Sequence, residues 1–90
     1  MSEDPQTRLK RLHMRSMRRG TKEMDILLMR FAEAHLAGLS ADELDIYEAL
    51  LDENDQDLYI WISGQDVAPE SYKSIVSHIA AVSAPNSVAF

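Results

Sequence analysis

The sequence predicts an all-α fold: one small domain built as a five-helix bundle. Three observations carry the prediction. No segment alternates apolar and polar residues between hairpin turns, so no strand is indicated. Apolar residues instead recur at intervals of three and four along most of the 90-residue chain. Residues that start and stop helices fall between those stripes and leave only short connections.

Each element has its own local warrant. Asp4-Pro5 opens the first helix, with a capping acceptor followed by proline at the first helical position, where its missing N–H does no harm. Leu9, Leu12, Met14 and Met17 follow as its apolar residues. Gly20 ends it, since glycine adopts positive φ at little cost after a helix. Thr21 caps the second helix, whose stripe is Met24, Leu27, Leu28, Phe31, Ala34 and His35, and Gly38 stops it. Ser40-Ala41-Asp42-Glu43 reads as a capping box for the third helix, with Leu44, Tyr47, Leu50 and Leu51 facing inward. The run DENDQD, Asp52 to Asp57, breaks that helix, and Asp55 caps a short fourth one carrying Leu58, Trp61 and Ile62. Gly64 closes the fourth. Pro69 starts the fifth, with Tyr72, Ile75, Val76, Ile79 and Val82 inward, and Pro85 stops it. The single domain spans 1–90, with an ordered core over about residues 5–83 and a tail over 84–90 expected to fray.

Composition narrows the function. A domain of this size buries about 60–65% of its extended-chain surface, enough for one modest core and not for a deep cleft. Hydrophobic content of 46% is too high for a disordered chain. The chain has no cysteine, which excludes disulfides, zinc–thiolate sites and a cysteine nucleophile. No apolar run approaches the ~20 residues of a membrane span, so membrane insertion is not expected. The opening MSEDPQTRLK has no apolar signal region and is short for a transit peptide, so the chain is expected to work where it is made. Charge is uneven. Residues 1–30 hold eight of the nine Lys and Arg residues and a net charge of +4; residues 31–90 carry −10, giving −6 overall. That asymmetry suggests either a partner-facing basic end or an ordinary solvated helix face.

No catalytic constellation is visible. The serines lack a nucleophile-elbow context. His13, His35 and His78 lie on three different helices with no motif around them. The DENDQD run lacks the glycine and the bidentate glutamate of a calcium loop, and the three glycines are isolated, so neither a metal nor a phosphate site is expected. No dinucleotide fingerprint is present, and no cofactor is expected. Nucleic-acid binding through the basic first helix is disfavoured by the acidic whole and by an apolar second helix with few side chains to reach base edges. What stands out is the first connection, where Arg18, Arg19, Gly20, Lys22 and Glu23 gather. Gly20 lets another backbone come close. An arginine beside it offers a planar fork to a carboxylate or carbonyl. Glu23 sits in the first turn of a helix, where the dipole favours its charge. The plainer reading makes Gly20 a helix terminator and Glu23 a first-turn acid.

These residues resemble a family. Arg19-Gly20-Thr21-Lys22-Glu23 matches the Arg-Gly-x-x-Glu mark of the FAD assembly factors of succinate dehydrogenase (SdhE type). The following MDILLMRFAEAHLAGLSADEL, the segment Asp57-Leu58-Tyr59-Ile60-Trp61 and Ala68-Pro69-Glu70 are similar to further parts of that family in order and spacing. The resemblance covers about residues 8–82. It implies a five-helix protein that is not an enzyme. Such a protein binds the flavoprotein subunit of succinate dehydrogenase, and in bacteria that of fumarate reductase, and promotes covalent attachment of FAD. It further implies that Arg19, Gly20 and Glu23, with Arg18 beside them, form the partner-binding site, and, with no transit peptide visible, it makes the bacterial cytoplasm the expected location. The protein is expected to be monomeric when free and, with no dinucleotide fingerprint and too small a fold for a deep cleft, to hold no FAD tightly. Replacing Gly20 by a large residue is then expected to block docking with the fold intact. The alternative from the residues alone is a generic helical protein- or nucleic-acid-interaction module using the basic first helix.

Overall fold

The computed structural model describes residues 3–83 and contains five α-helices. They are α1 (Pro5–Met17), α2 (Lys22–His35), α3 (Ala41–Leu51), α4 (Asp55–Ile62) and α5 (Lys73–Ser83), with 3₁₀ turns at Leu36–Gly38 and Glu70–Tyr72. No strand occurs among the described residues. Pro85 and the tail expected to fray lie outside them.

The helix starts are local and follow the sequence. The Asp4 carboxylate accepts from the Thr7 amide, and Thr21 Oγ1 accepts from the Met24 amide. Ser40 and Glu43 form both halves of a capping box. At α4 the cap is one residue earlier than expected: Asn54 accepts from the Gln56 amide, and Asp55 is already the first helical residue. That shift frees the Asp55 side chain for another partner. Pro69 does not open α5 directly. Its backbone is extended (φ −54°, ψ 149°), a 3₁₀ turn follows, and α5 begins at Lys73. Gly38 closes a 3₁₀ turn appended to α2.

Helix α2 lies at the centre, packed against α1, α4 and α5. It contributes Met24, Leu28 and Phe31 to a core completed by Leu12, Tyr47, Leu50, Leu58 and Ile79, all fully buried. The face of α1 is rotated from the expected one. Met14 and Met17 are 52% and 44% exposed, and Ser16 is fully buried instead. Its hydroxyl bonds the Leu12 carbonyl at 2.8 Å and the Tyr47 hydroxyl at 2.5 Å. Burial pushes the Tyr47 phenol up to about 12, and the Ser16 bond only partly offsets it. Ala34 and His35, placed in the α2 stripe by spacing, are exposed. Trp61 is half-buried, its ring 5.9 Å from that of Tyr72, whose hydroxyl donates to Glu53 at 2.8 Å.

The arginines of α1 form a ladder against the acids of α3. Arg8 pairs with Asp45 at 2.6 Å and Glu48 at 3.1 Å, Arg11 with Glu48 at 2.7 Å and Glu3 at 2.8 Å, and Arg15 with Asp52 at 2.5 Å. Hydrogen bonds from Arg11 hold the Glu48 and Glu3 carboxyls below the usual carboxylate range. Much of the basic first helix is therefore neutralised within the molecule.

Candidate functional site

The connection between α1 and α2 is where the sequence concentrates its unusual residues. Helix α1 stops because Arg18 leaves helical geometry (φ −118°, ψ 60°), and Thr21 is extended before α2 begins. Gly20 does not take positive φ; among the described residues only Gly64 does, at 83°. The need for glycine at 20 is space. A Cβ there would stand 2.9 Å from Asp55 Oδ2, because the Gly20 amide donates to that oxygen. The Arg19 amide donates to Asp25 Oδ1 at 2.5 Å. Both amides of the turn thus end on carboxylates, one from α2 and one from α4.

The Arg19 side chain turns inward. Its Nε donates to Asp55 Oδ1 at 2.8 Å and an Nη lies 2.7 Å from the same oxygen. The other polar contact of that Nη is the Glu53 carbonyl at 3.4 Å. The two side chains are 9% and 16% exposed, the most buried ion pair among the described residues. Asp55 also sits at the N-terminal end of α4, where the helix dipole favours its charge. Arg19 is therefore a strap that ties the turn to α4, and its fork is already occupied.

The other members of the expected site face outward. Arg18 and Glu23 are exposed, as is Lys22 between them in sequence, and no side chain of the three has a hydrogen bond or ion pair to another described residue. Beside Glu23 lies a shallow cleft of about 230 Å³ lined by Thr21, Glu23, Asp55, Gln56 and Tyr59. That is below the about 300–1,000 Å³ of most small-molecule sites; a side chain or loop tip of another protein fits it better than a dinucleotide. Tyr59 is 40% exposed at its edge. Met17, directly before Arg18, and Met14, one turn earlier, are also exposed and form an apolar shoulder at the end of α1. Of the four predicted residues, Arg18, Gly20 and Glu23 are exposed at or beside this turn, Glu23 alone lines the cleft, and Arg19 ties the turn to α4.

Asp55, Asp25 and Tyr59 are the residues that sequence reasoning missed. A signal for Asp55 was present. Arginines at 8, 11, 15 and 19 and acids at 45, 48, 52 and 55 both step by three or four, the register of two facing surfaces. Among the described residues no group of three or more His, Asp or Glu side chains is placed to hold a metal ion, and no helix is long and apolar enough to cross a membrane.

Compared with known proteins, residues 10–83 match the model of a family described as flavinator of succinate dehydrogenase. The chain is 50% identical over 60 residues to the protein named succinate dehydrogenase assembly factor 2, mitochondrial, of Debaryomyces hansenii, covering 66% of this chain and 42% of that one. It is 47% identical over 68 residues to the protein of the same name in Meyerozyma guilliermondii (74% and 50%), and 42% identical over 66 residues to that of Schizosaccharomyces pombe (73% and 48%). The chain thus spans about half the length, or less, of these curated relatives. They overturn the expectation of a bacterial cytoplasmic protein, since they are named as mitochondrial and come from fungi.

Proposed function

Because this chain belongs to the family of succinate dehydrogenase flavinators, we propose that it binds the flavoprotein subunit of succinate dehydrogenase and promotes covalent attachment of FAD to it, without catalysing the step itself. The observation that carries this reading is the family match over residues 10–83, which includes the whole Arg19 to Glu23 turn. The geometry supports a division of labour within that turn. Arg18 and Glu23 meet the flavoprotein, the flat surface at Gly20 lets its backbone approach, and Arg19 with Asp55 keeps the turn in shape.

Promotion by binding has a clear physical route. Covalent attachment requires the reacting side chain of the flavoprotein, the flavin and their charge-stabilising neighbours in line. Alignment of reacting groups contributes as much as about 7–11 kcal/mol in favourable cases. A helper supplies part of it by binding the aligned conformation more tightly than the others. A rigid, pre-tied turn suits this, because little ordering is left to occur on docking.

The test is flavinylation in cells lacking any assembly factor. The flavoprotein subunit is expressed with this chain or with Glu23→Ala, and covalent flavin is read by in-gel fluorescence after denaturation. The natural chain should raise the signal and the variant should not. A natural chain that neither raises the signal nor forms a complex with the flavoprotein sinks the reading. The same assay with fumarate reductase tests the wider partner range, which rests on the sequence resemblance alone.

A further inference from the structure

A second feature lies at the opposite end of α2. His35, the last residue of α2, and His78, in the middle of α5, have ring centroids 5.0 Å apart with planes at 59°. Phe31 holds both. It is fully buried, one turn before His35, with its ring 5.9 Å from His35 and edge-on to His78 at 5.0 Å. The pair is thus braced from the core, while His35 is exposed and His78 half-buried. No ring nitrogen of either residue has a hydrogen bond to another described residue.

The spacing has a chemical meaning. A transition-metal ion binds imidazole nitrogen at about 2.0–2.1 Å, which puts it about 3.2 Å from the ring centre. Two imidazoles on one ion, at angles between square-planar and tetrahedral, then have centres about 4.5–5.2 Å apart. The observed 5.0 Å lies inside that interval. Calcium and magnesium require oxygen ligands and are excluded by the donor set. Zn²⁺, Cu²⁺ and Ni²⁺ accept imidazole readily.

We propose that His35 and His78 form a two-histidine site for a divalent transition-metal ion, with water at its remaining positions. The site joins the end of α2 to α5, elements far apart in sequence, and an ion there clips them together. It lies thirteen residues along α2 from Lys22, about 20 Å at 1.5 Å per residue, so occupancy leaves the Arg18–Glu23 surface open. The inference does not depend on the proposed function.

The test is calorimetric titration of ZnCl₂, and separately NiCl₂, into the chain without an affinity tag. One ion per chain is expected. His35→Ala and His78→Ala should each weaken binding by roughly 100-fold, the lower end of what simultaneous attachment at two points contributes. His13→Ala, on α1, should bind as the natural chain does. His35 is exposed at a helix end, so its variant keeps the fold, which circular dichroism checks, and decides the matter should His78→Ala unfold. Absence of binding at millimolar metal overturns the site. So does a His35→Ala chain that binds as tightly as the natural one.

Discussion

Asp55 accepts from the Gly20 amide and from the Arg19 guanidinium at the same time, so two consequences follow from its loss. One is an almost buried arginine without its counter-charge; the other is a turn whose amide has no partner. Removing one member of a buried pair costs about 3–5 kcal/mol, and the residual exposure of this pair lowers the expectation for Asp55→Ala to about 2–3 kcal/mol, read as a shifted urea midpoint. Gly20→Ala acts on the same carboxylate from the other side. Its Cβ would stand 2.9 Å from Asp55 Oδ2, so the carboxylate must shift, and a loss of about 1 kcal/mol is expected. For a large residue at 20 the same contact with Asp55 predicts a loss of stability alongside any effect on docking, and a melt of the Gly20→Arg variant separates the two. Glu48 sets a different test. Its carboxyl is held below the usual range by Arg11 first and Arg8 second, so the native state binds the proton less readily than the unfolded chain. The stability this contributes is present above the unfolded carboxylate range, about 4.3, and is lost as pH falls through the lowered native value. Glu48→Gln should flatten the fall of the melting temperature on acidification. An unchanged slope would mean the pair contributes nothing. The prominence of Gly20 and Arg19 was legible in the sequence. The direction of Arg19 was not, since it depends on where α4 folds back, thirty-six residues further on.

At the scale of the element, what the sequence disclosed was whatever depends on neighbouring residues. Caps at Asp4, Thr21 and Ser40 are local chemistry, and they appear where the residue types put them. The capping box joins two such bonds, at 3.1 Å and 2.8 Å, so Ser40→Ala should cost about 1 kcal/mol by chemical denaturation. A value near zero would mean that tertiary contacts alone fix the start of α3. The rotation of α1 was not legible. Hydropathy favours Met14 and Met17 over Ser16, but the partner decides. Tyr47 brings a buried hydroxyl that needs a bond, and Ser16 supplies it at 2.5 Å. The methionines are turned outward as a result. The same dependence on distant partners explains Asp55. As an N-cap its carboxylate would have been spent on its own helix; with Asn54 in that place it reaches the α1–α2 turn.

For the molecule as a whole, the uneven charge of the sequence had two readings, a partner-facing basic end or a solvated face, and the fold takes neither in full. Arg8, Arg11, Arg15 and Arg19 meet acids of the same chain, while Lys10, Arg18, Lys22 and Arg30 remain exposed. Four of the eight cations of residues 1–30 are thus taken up within the chain, and a nucleic-acid contact would have only the other four to use and would weaken with salt. The ladder instead fixes α1 against α3, and at its end the Arg19–Asp55 pair fixes the turn. The proposed function thus assigns support and contact to different residues, and this separation is testable with one set of variants. Arg18→Ala and Glu23→Ala remove exposed side chains without described partners, so melting temperature should hold while flavinylation of the co-expressed flavoprotein falls. Arg19→Ala removes the strap, so both should fall together, and Arg19→Lys should restore little, because a lysine has no planar fork to span Asp55 and the Glu53 carbonyl. If Arg19→Ala lowers flavinylation with an unchanged melting temperature, the arginine acts at the partner after all and the inward strap is not its role. If Arg18→Ala and Glu23→Ala leave flavinylation untouched, the contact lies elsewhere, and the Met14 and Met17 shoulder is the first surface to mutate.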